Sequence, residues 1–221
     1  MDYVRQQEQG TTAADGETEI TLGLLQAVDE DSAVTQRSVA GQLGIALGLA
    51  NAYLKRCVKK GLIKVKQVPP NRYAYYLTPK GFTEKSRLTA EYLSSSFNFF
   101  RRARLECGEL MERCRTRGWN RIALCGTSDL GEIAVLCARE HDLELAGFVA
   151  TGAANGGAQE FGGLKVAATL AELGQVDAVL LTDLKTPQAS FDHLRASIPD
   201  ERILTPRLLR IMRTRKQEDV A

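Results

Sequence analysis

Apolar positions recur along this chain with two different periods, and the change of period divides it. Ile20, Leu24, Leu25 and Val28 fall three or four apart and predict a helix over Thr18–Asp29. Thr35 is placed to cap a second helix reaching Leu43, with Val39, Ala40 and Leu43 inward and Gly44 as its stop. A third helix is predicted over Ala46–Lys60, ending at Gly61, with Ala50, Leu54, Cys57 and Val58 on its core side. The following LIKVKQV and RYAYYLT alternate apolar and polar residues around Pro69–Asn71, the pattern of a two-stranded hairpin. Three helices joined through a Gly-containing turn and followed by a basic hairpin make a winged helix-turn-helix.

From Pro79 to Arg117 the spacing of Leu88, Tyr92, Phe100, Cys107, Leu110, Met111 and Cys114 predicts a long helix, with a break near Ser94–Ser96. A helix this long has little core of its own, so its expected partner is a second copy, giving a homodimer. Beyond Asn120 strand-like runs alternate with helices. RIALCG, ELAGFVA, LKVAA, DAVLLTD and RILTP read as strands, and DLGEIAVLCARE, Thr169–Leu173 and Pro187–Ser197 as helices. Alternation of this kind implies parallel pairing with helix-covered faces. The expected fold is therefore α/β: an N-terminal winged helix-turn-helix, a long connecting helix and a C-terminal Rossmann-like parallel sheet. The divisions are a disordered tail over 1–17, the winged helix over 18–80, the connector over 81–117, the sheet domain over 118–206 and a basic tail over 207–221.

Charge changes this picture more than composition does. Residues 1–117 hold 18 Lys/Arg against 13 Asp/Glu, and residues 118–221 hold 11 against 14. Between Ser32 and Thr83 lie nine basic residues and no acidic one. Ordinary surfaces mix both signs, so a folded stretch of cations alone points to a polyanion, here double-stranded DNA. On the third helix Gly48, Asn51, Lys55 and Lys59 share the face opposite the core. In a major groove its first turns would set Leu47, Gly48 and Asn51 nearest base edges, with Asn51 both donating to and accepting from adenine. Lys55, Arg56 and Lys59 are expected at phosphates. Arg37 and Ser38 at the second helix, and Arg72 at the hairpin tip, complete the candidate DNA contacts.

In the second half the first strand runs into GTSDLGE. Gly126 permits a tight turn, the amides of Thr127, Ser128, Asp129 and Leu130 would point outward, and Gly131 would allow close helix–sheet packing. Such a turn can seat a ligand phosphate, making a nucleotide or nucleotide-sugar the candidate ligand. The alternative is a domain with no small ligand. Asp129 reads as a helix cap more readily than as a base, Asp177 as a turn residue and Asp183 as a strand-end group. With no placed nucleophile, base or metal cluster, no catalysis is expected. Five cysteines without a CxxC pair read as reduced core thiols, and no apolar run approaches the roughly 18 residues of a membrane span. A cytoplasmic protein is expected.

LGIALGLANAYLKRCVKKGLIKV and YYLTPKGFTEKSRLTAEYL, with Gln36, Arg37 and Asn51, resemble the MarR-type winged-helix regulators associated with exopolysaccharide gene clusters, over residues 18–93. The resemblance implies a dimeric DNA-binding regulator of transcription. Many relatives begin the third helix with Ser or Thr, whereas this chain has Ala46. Residues 120–206 resemble the nucleotide-sugar-binding domain of bacillosamine-type sugar O-acyltransferases, through Leu145–Ala150, Gly163–Val166 and Asp177–Leu181. They also resemble the NAD-sensing domain of Rex-type redox repressors. Both would carry a ribose-binding carboxylate after the second strand, and here that place reads Val149-Ala150-Thr151-Gly152. The TGAANGGAQEFGG segment is expected to be mobile and able to fold over a ligand.

Overall fold

The computed structural model describes residues 2–68, 72–150 and 160–213. The chain forms two compact units, Met1–Ser96 and Phe97–Ala221. The first begins with α1, Asp2–Glu30. This helix starts well before the expected Thr18 and takes in the segment read as a tail, where Gln6, Gln7, Ala13 and Ala14 favour helix and no proline interrupts. Helices α2 (Gln36–Gln42) and α3 (Leu47–Lys59) follow, then strands β1 (Ile63–Val68) and β2 (Arg72–Leu77) as an antiparallel pair. Tyr75 ties β2 to the loop after α1 by donating its amide to the Ser32 carbonyl at 2.9 Å.

The core of this unit gathers Leu24, Leu25 and Val28 of α1, Val39 of α2, Leu54 and Cys57 of α3, and Ile63, Tyr75 and Leu88. One inward assignment is corrected: Tyr53 is 9% exposed on α3 whereas Val58 is 37% exposed. Val58 instead lines a shallow cavity with Val65 of β1 and Tyr75 of β2. Helix α4 (Pro79–Thr116) begins at Thr78, whose hydroxyl accepts the Gly81 amide at 3.0 Å and donates to the Gly61 carbonyl at 2.7 Å. A Cβ on Gly81 would lie 2.1 Å from the Leu62 carbonyl oxygen, so only glycine fits this crossing. No break occurs at Ser94–Ser96. Three serines cost helix propensity without removing an amide as proline would, and α4 continues through them.

In the second unit a six-stranded sheet has the order β5-β6-β4-β3-β7-β8. Its strands are β3 (Arg121–Cys125), β4 (Glu144–Val149), β5 (Glu160–Phe161), β6 (Leu164–Ala167), β7 (Ala178–Leu181) and β8 (Ile203–Leu204). All neighbouring pairs are parallel except β5–β6. That antiparallel pair, absent from the expected set, comes from Gly162 and Gly163 at φ 58° and 77°, the positive-φ pair that a two-residue hairpin turn requires. Helices α5 (Asp129–Glu140) and α6 (Pro187–Leu194) join the strands.

The C-terminal part of α4 also belongs to this core. Ala103, Cys107, Leu110, Met111 and Cys114 are buried with Ile122, Leu124, Phe148 and Leu180. The expected self-paired stripe is thus corrected, because most of it is used within the chain. Exposed apolar residues on α4 include Tyr92 and Leu93 in its first half and Phe97, Phe100 and Leu105 beyond. Residues 207–213 are not a free tail either. Leu209 is buried, the Leu208 amide donates to Glu106 at 2.8 Å, and Arg213 pairs with Asp200 at 3.0 Å. No helix of the described residues is long and apolar enough to cross a membrane.

Candidate nucleic-acid interface

Helix α2 is fixed at its start by a reciprocal cap. The Ser38 amide donates to the Thr35 hydroxyl at 3.0 Å, and the Thr35 amide donates to the Ser38 hydroxyl at 2.9 Å. Ser38 thus holds the helix end, and it remains exposed. Arg37 beside it is exposed.

Helix α3 starts at Ala46 with no side-chain cap; the Ala46 carbonyl instead accepts from the amides of Leu49 and Ala50 at 2.9 and 3.1 Å. Gly48 has open space around it, and Ala52, Lys55 and Lys59 are exposed on the same side. A shallow cavity of about 300 Å³ runs along this face, lined by Gln36, Asn51, Leu54, Lys55, Val58, Lys59, Val65 and Tyr75. Lys64 and Lys66 of β1 are exposed as well.

One expectation changes here. Arg56 pairs with Glu17 of α1 at 2.9 Å and lies over the Tyr53 ring. An acid outside the acid-free window thus claims one of its cations, which no sequence window around α3 reveals. Asn51 has its side-chain oxygen buried without a hydrogen-bond partner. The side chain of Arg72 lies outside the described residues.

At the second candidate site, Gly126 has φ 101°, and a Cβ there would meet Asp183 Cα at 2.6 Å. Gly131 faces Phe148, where an added Cβ would lie 2.7 Å from the ring. Ser128 caps α5 by accepting the Gly131 amide at 3.4 Å, and its hydroxyl donates to the Thr182 carbonyl at 2.5 Å. Thr182 in turn donates to the Cys125 and Gly126 carbonyls. Leu130 is fully buried, and Thr127 is half-buried. Asp129 and Glu132 put two carboxylates in the first turn of α5. They occupy the positive end of the helix dipole, which disfavours a second anion there.

Beside this turn, at the carboxyl end of β7, sits a polar cluster that the sequence did not single out. Asp183 is buried and accepts from the Ser190 hydroxyl at 2.5 Å, the Thr186 hydroxyl at 3.0 Å, and the amides of Lys185 and Thr186. Burial raises its carboxyl, but these donors outweigh burial and hold it below the usual carboxylate range. Asp177 accepts the Asn120 and Arg121 amides at 2.9 Å each and so latches the start of β3. Among the described residues no group of three or more His, Cys, Asp or Glu is placed to hold a metal. Residues 151–159, most of the expected cover segment, lie outside the described residues.

Residues 17–64 match the family model of winged helix-turn-helix DNA-binding domains. The first unit is a winged helix-turn-helix. Among solved structures the chain is similar to the transcriptional regulator SlyA, at 20% identity over 43% of this chain and 76% of that one, with a TM-score of 0.34. MepR of Staphylococcus aureus, a transcription regulator of the multidrug efflux pump MepA, gives 21% identity over 45% and 81%, with a TM-score of 0.34. The multiple antibiotic-resistance repressor MarR of Listeria monocytogenes gives 19% over 44% and 73%, with a TM-score of 0.30. Scores of this size do not establish a common fold. No curated protein gives a significant match.

Proposed function

We propose that the chain is a homodimeric, cytoplasmic regulator of transcription of the MarR type, acting on polysaccharide or cell-envelope genes. One observation carries the reading: the exposed face of α3 presents Lys55 and Lys59, with Lys64 and Lys66 on the neighbouring strand, and no acid lies between Ser32 and Thr83. Such a face displaces counterions from a duplex, so affinity falls linearly in log–log form with salt. Lys55→Ala and Lys59→Ala are expected to weaken all sequences to a similar extent and to lower the salt slope by about one each. Duplex binding measured against salt for the full chain and both variants decides it. Affinity indifferent to salt and to both substitutions would sink the reading.

The second unit is proposed as a Rossmann-like, non-catalytic sensor for a nucleotide-type ligand, with the turn Gly126–Gly131 as its phosphate seat. The strand order, with the first strand of the unit central and the crossover direction reversing between β3 and β7, supports that reading. A second reading, an interaction domain without ligand, is favoured by Asp129 and Glu132 at the α5 terminus. Thermal unfolding with a nucleotide-sugar, NAD, NADH and coenzyme A separates them. The sensor reading expects a raised Tm with a nucleotide-sugar; a rise with NADH alone indicates a redox sensor, and no rise with any compound leaves the interaction domain.

A further inference from the structure

Three arginines of the second unit meet beside the edge strand β8. Arg113 in the last turn of α4 and Arg117 just beyond it line a cavity of about 490 Å³ with Arg213, Thr205, Asp200 and Glu201. Arg117 precedes β3, and Asp200 and Glu201 precede β8, so the cavity lies toward the amino ends of these parallel strands, away from the Gly126 turn. Its charges are unequally matched. Arg213 donates to the Asp200 carboxylate at 3.0 Å, the Ile203 carbonyl at 2.7 Å and the Thr205 hydroxyl at 3.2 Å. Asp200 has Arg195 at 3.7 Å as well. Arg113 and Arg117 have no carboxylate partner among the described residues, and the Arg117 guanidinium faces only the Trp119 ring, at 4.9 Å. Two like charges one helical turn apart repel each other, and an anion held between them removes that cost.

We propose that this cavity binds a sugar phosphate, with the guanidinium groups of Arg113 and Arg117 holding the phosphate. A carboxylate has two oxygens and is saturated by one guanidinium fork. A phosphate monoester has three terminal oxygens and nearly two charges, which two forks match. The Thr205 hydroxyl accepts from Arg213, so its own proton can be donated to the phosphate. Glu201 is exposed, has no ion pair among the described residues and can only accept. It repels a second anion and suits hydroxyl groups on the rest of the ligand. Arg213 fixes the β8 wall of the cavity through its bonds to Ile203 and Thr205. The site does not depend on the nucleotide reading of the Gly126 turn.

Isothermal titration of the full chain with glucose 1-phosphate, inorganic phosphate and glucose tests the proposal. Glucose 1-phosphate is expected to bind most tightly, inorganic phosphate more weakly and glucose not at all. Arg113→Gln and Arg117→Gln are each expected to weaken glucose 1-phosphate roughly tenfold or more. Arg113→Lys keeps the charge without the fork and is expected to weaken it less, which also covers the case where a glutamine variant does not fold. Arg115→Gln, at the same helix end but outside the cavity, is expected to leave binding unchanged. No binding of glucose 1-phosphate would overturn the site. Binding that survives both glutamine variants would also overturn it, placing the phosphate elsewhere, as at the Gly126 turn, and leaving the nucleotide reading intact. Equal affinity for inorganic phosphate and glucose 1-phosphate would overturn the part assigned to Glu201.

Discussion

Asp183 illustrates how much one side chain in this protein depends on its donors. At 5% exposure a carboxylate is costly to keep ionised, and four donors from Lys185, Thr186 and Ser190 keep it so. Its folded-state pKa is depressed, so the stabilisation is present above the unfolded value and is lost as pH falls through the folded one. Ser190→Ala removes the shortest of these bonds and is expected to cost about 1.5–3 kcal/mol near pH 7. That penalty should shrink only below the ordinary carboxylate range, as pH falls through the depressed folded-state pKa and the carboxyl takes up a proton. Denaturant unfolding of both chains at several pH values measures it; a penalty independent of pH would show that Ser190 acts through packing alone. The cysteines follow the opposite rule. Burial pushes Cys107 and Cys125 up to about 12 and Cys114 up to about 11, so these are packed thiols rather than nucleophiles.

Among the elements, α4 shows how close approach selects residue type. It crosses the α3–β1 turn at Gly81, where the neighbouring atom is backbone and has no rotamer to change. Gly81→Ala is expected to lower stability by about 2–4 kcal/mol, read as a lower urea midpoint at unchanged m-value. Gly41 within α2 is the contrast, since nothing lies within 4 Å of an added Cβ. Gly41→Ala should raise stability by about 0.5–1 kcal/mol through helix propensity. Equal effects at the two positions would contradict the crossing geometry. The start of α3 belongs to the same scale. Ala46 gives it no side-chain cap, and the reciprocal Thr35–Ser38 cap lies one helix earlier.

For the whole molecule, the surface left over after folding bears on association. In the second unit Phe97 is 56%, Phe100 38% and Leu105 62% exposed on α4, with Leu136 50% exposed on α5. Around Phe100 and Leu105 a shallow cavity of about 430 Å³ carries Arg101 and Arg104 together with Glu109 and Glu140. Arg104 pairs there with Glu140 at 2.8 Å and Glu109 with Arg207 at 2.7 Å, so the proposed homodimer would draw on the exposed apolar residues. Leu105→Asp is expected to shift the protein toward monomer in sedimentation equilibrium while leaving its far-UV circular dichroism unchanged. An unaltered mass would place the dimer contact elsewhere.

Most helices and strands of both units were legible in the sequence. One buried face imposes an apolar period, as in Leu24, Leu25 and Val28, and two buried faces a continuous apolar run, as along Ile122–Cys125; β5 and the first half of α1 carried neither signal. The acid-free cation window was legible too, since charge along the chain needs no fold to be counted. What the tertiary structure alone decided were pairings between residues far apart in sequence. Glu17 pairs with Arg56, Ser190 and Thr186 claim Asp183, and much of the apolar stripe of α4 beyond Ala103 is spent on its own sheet. Periodicity states that a side chain is buried, but only three-dimensional packing states against what.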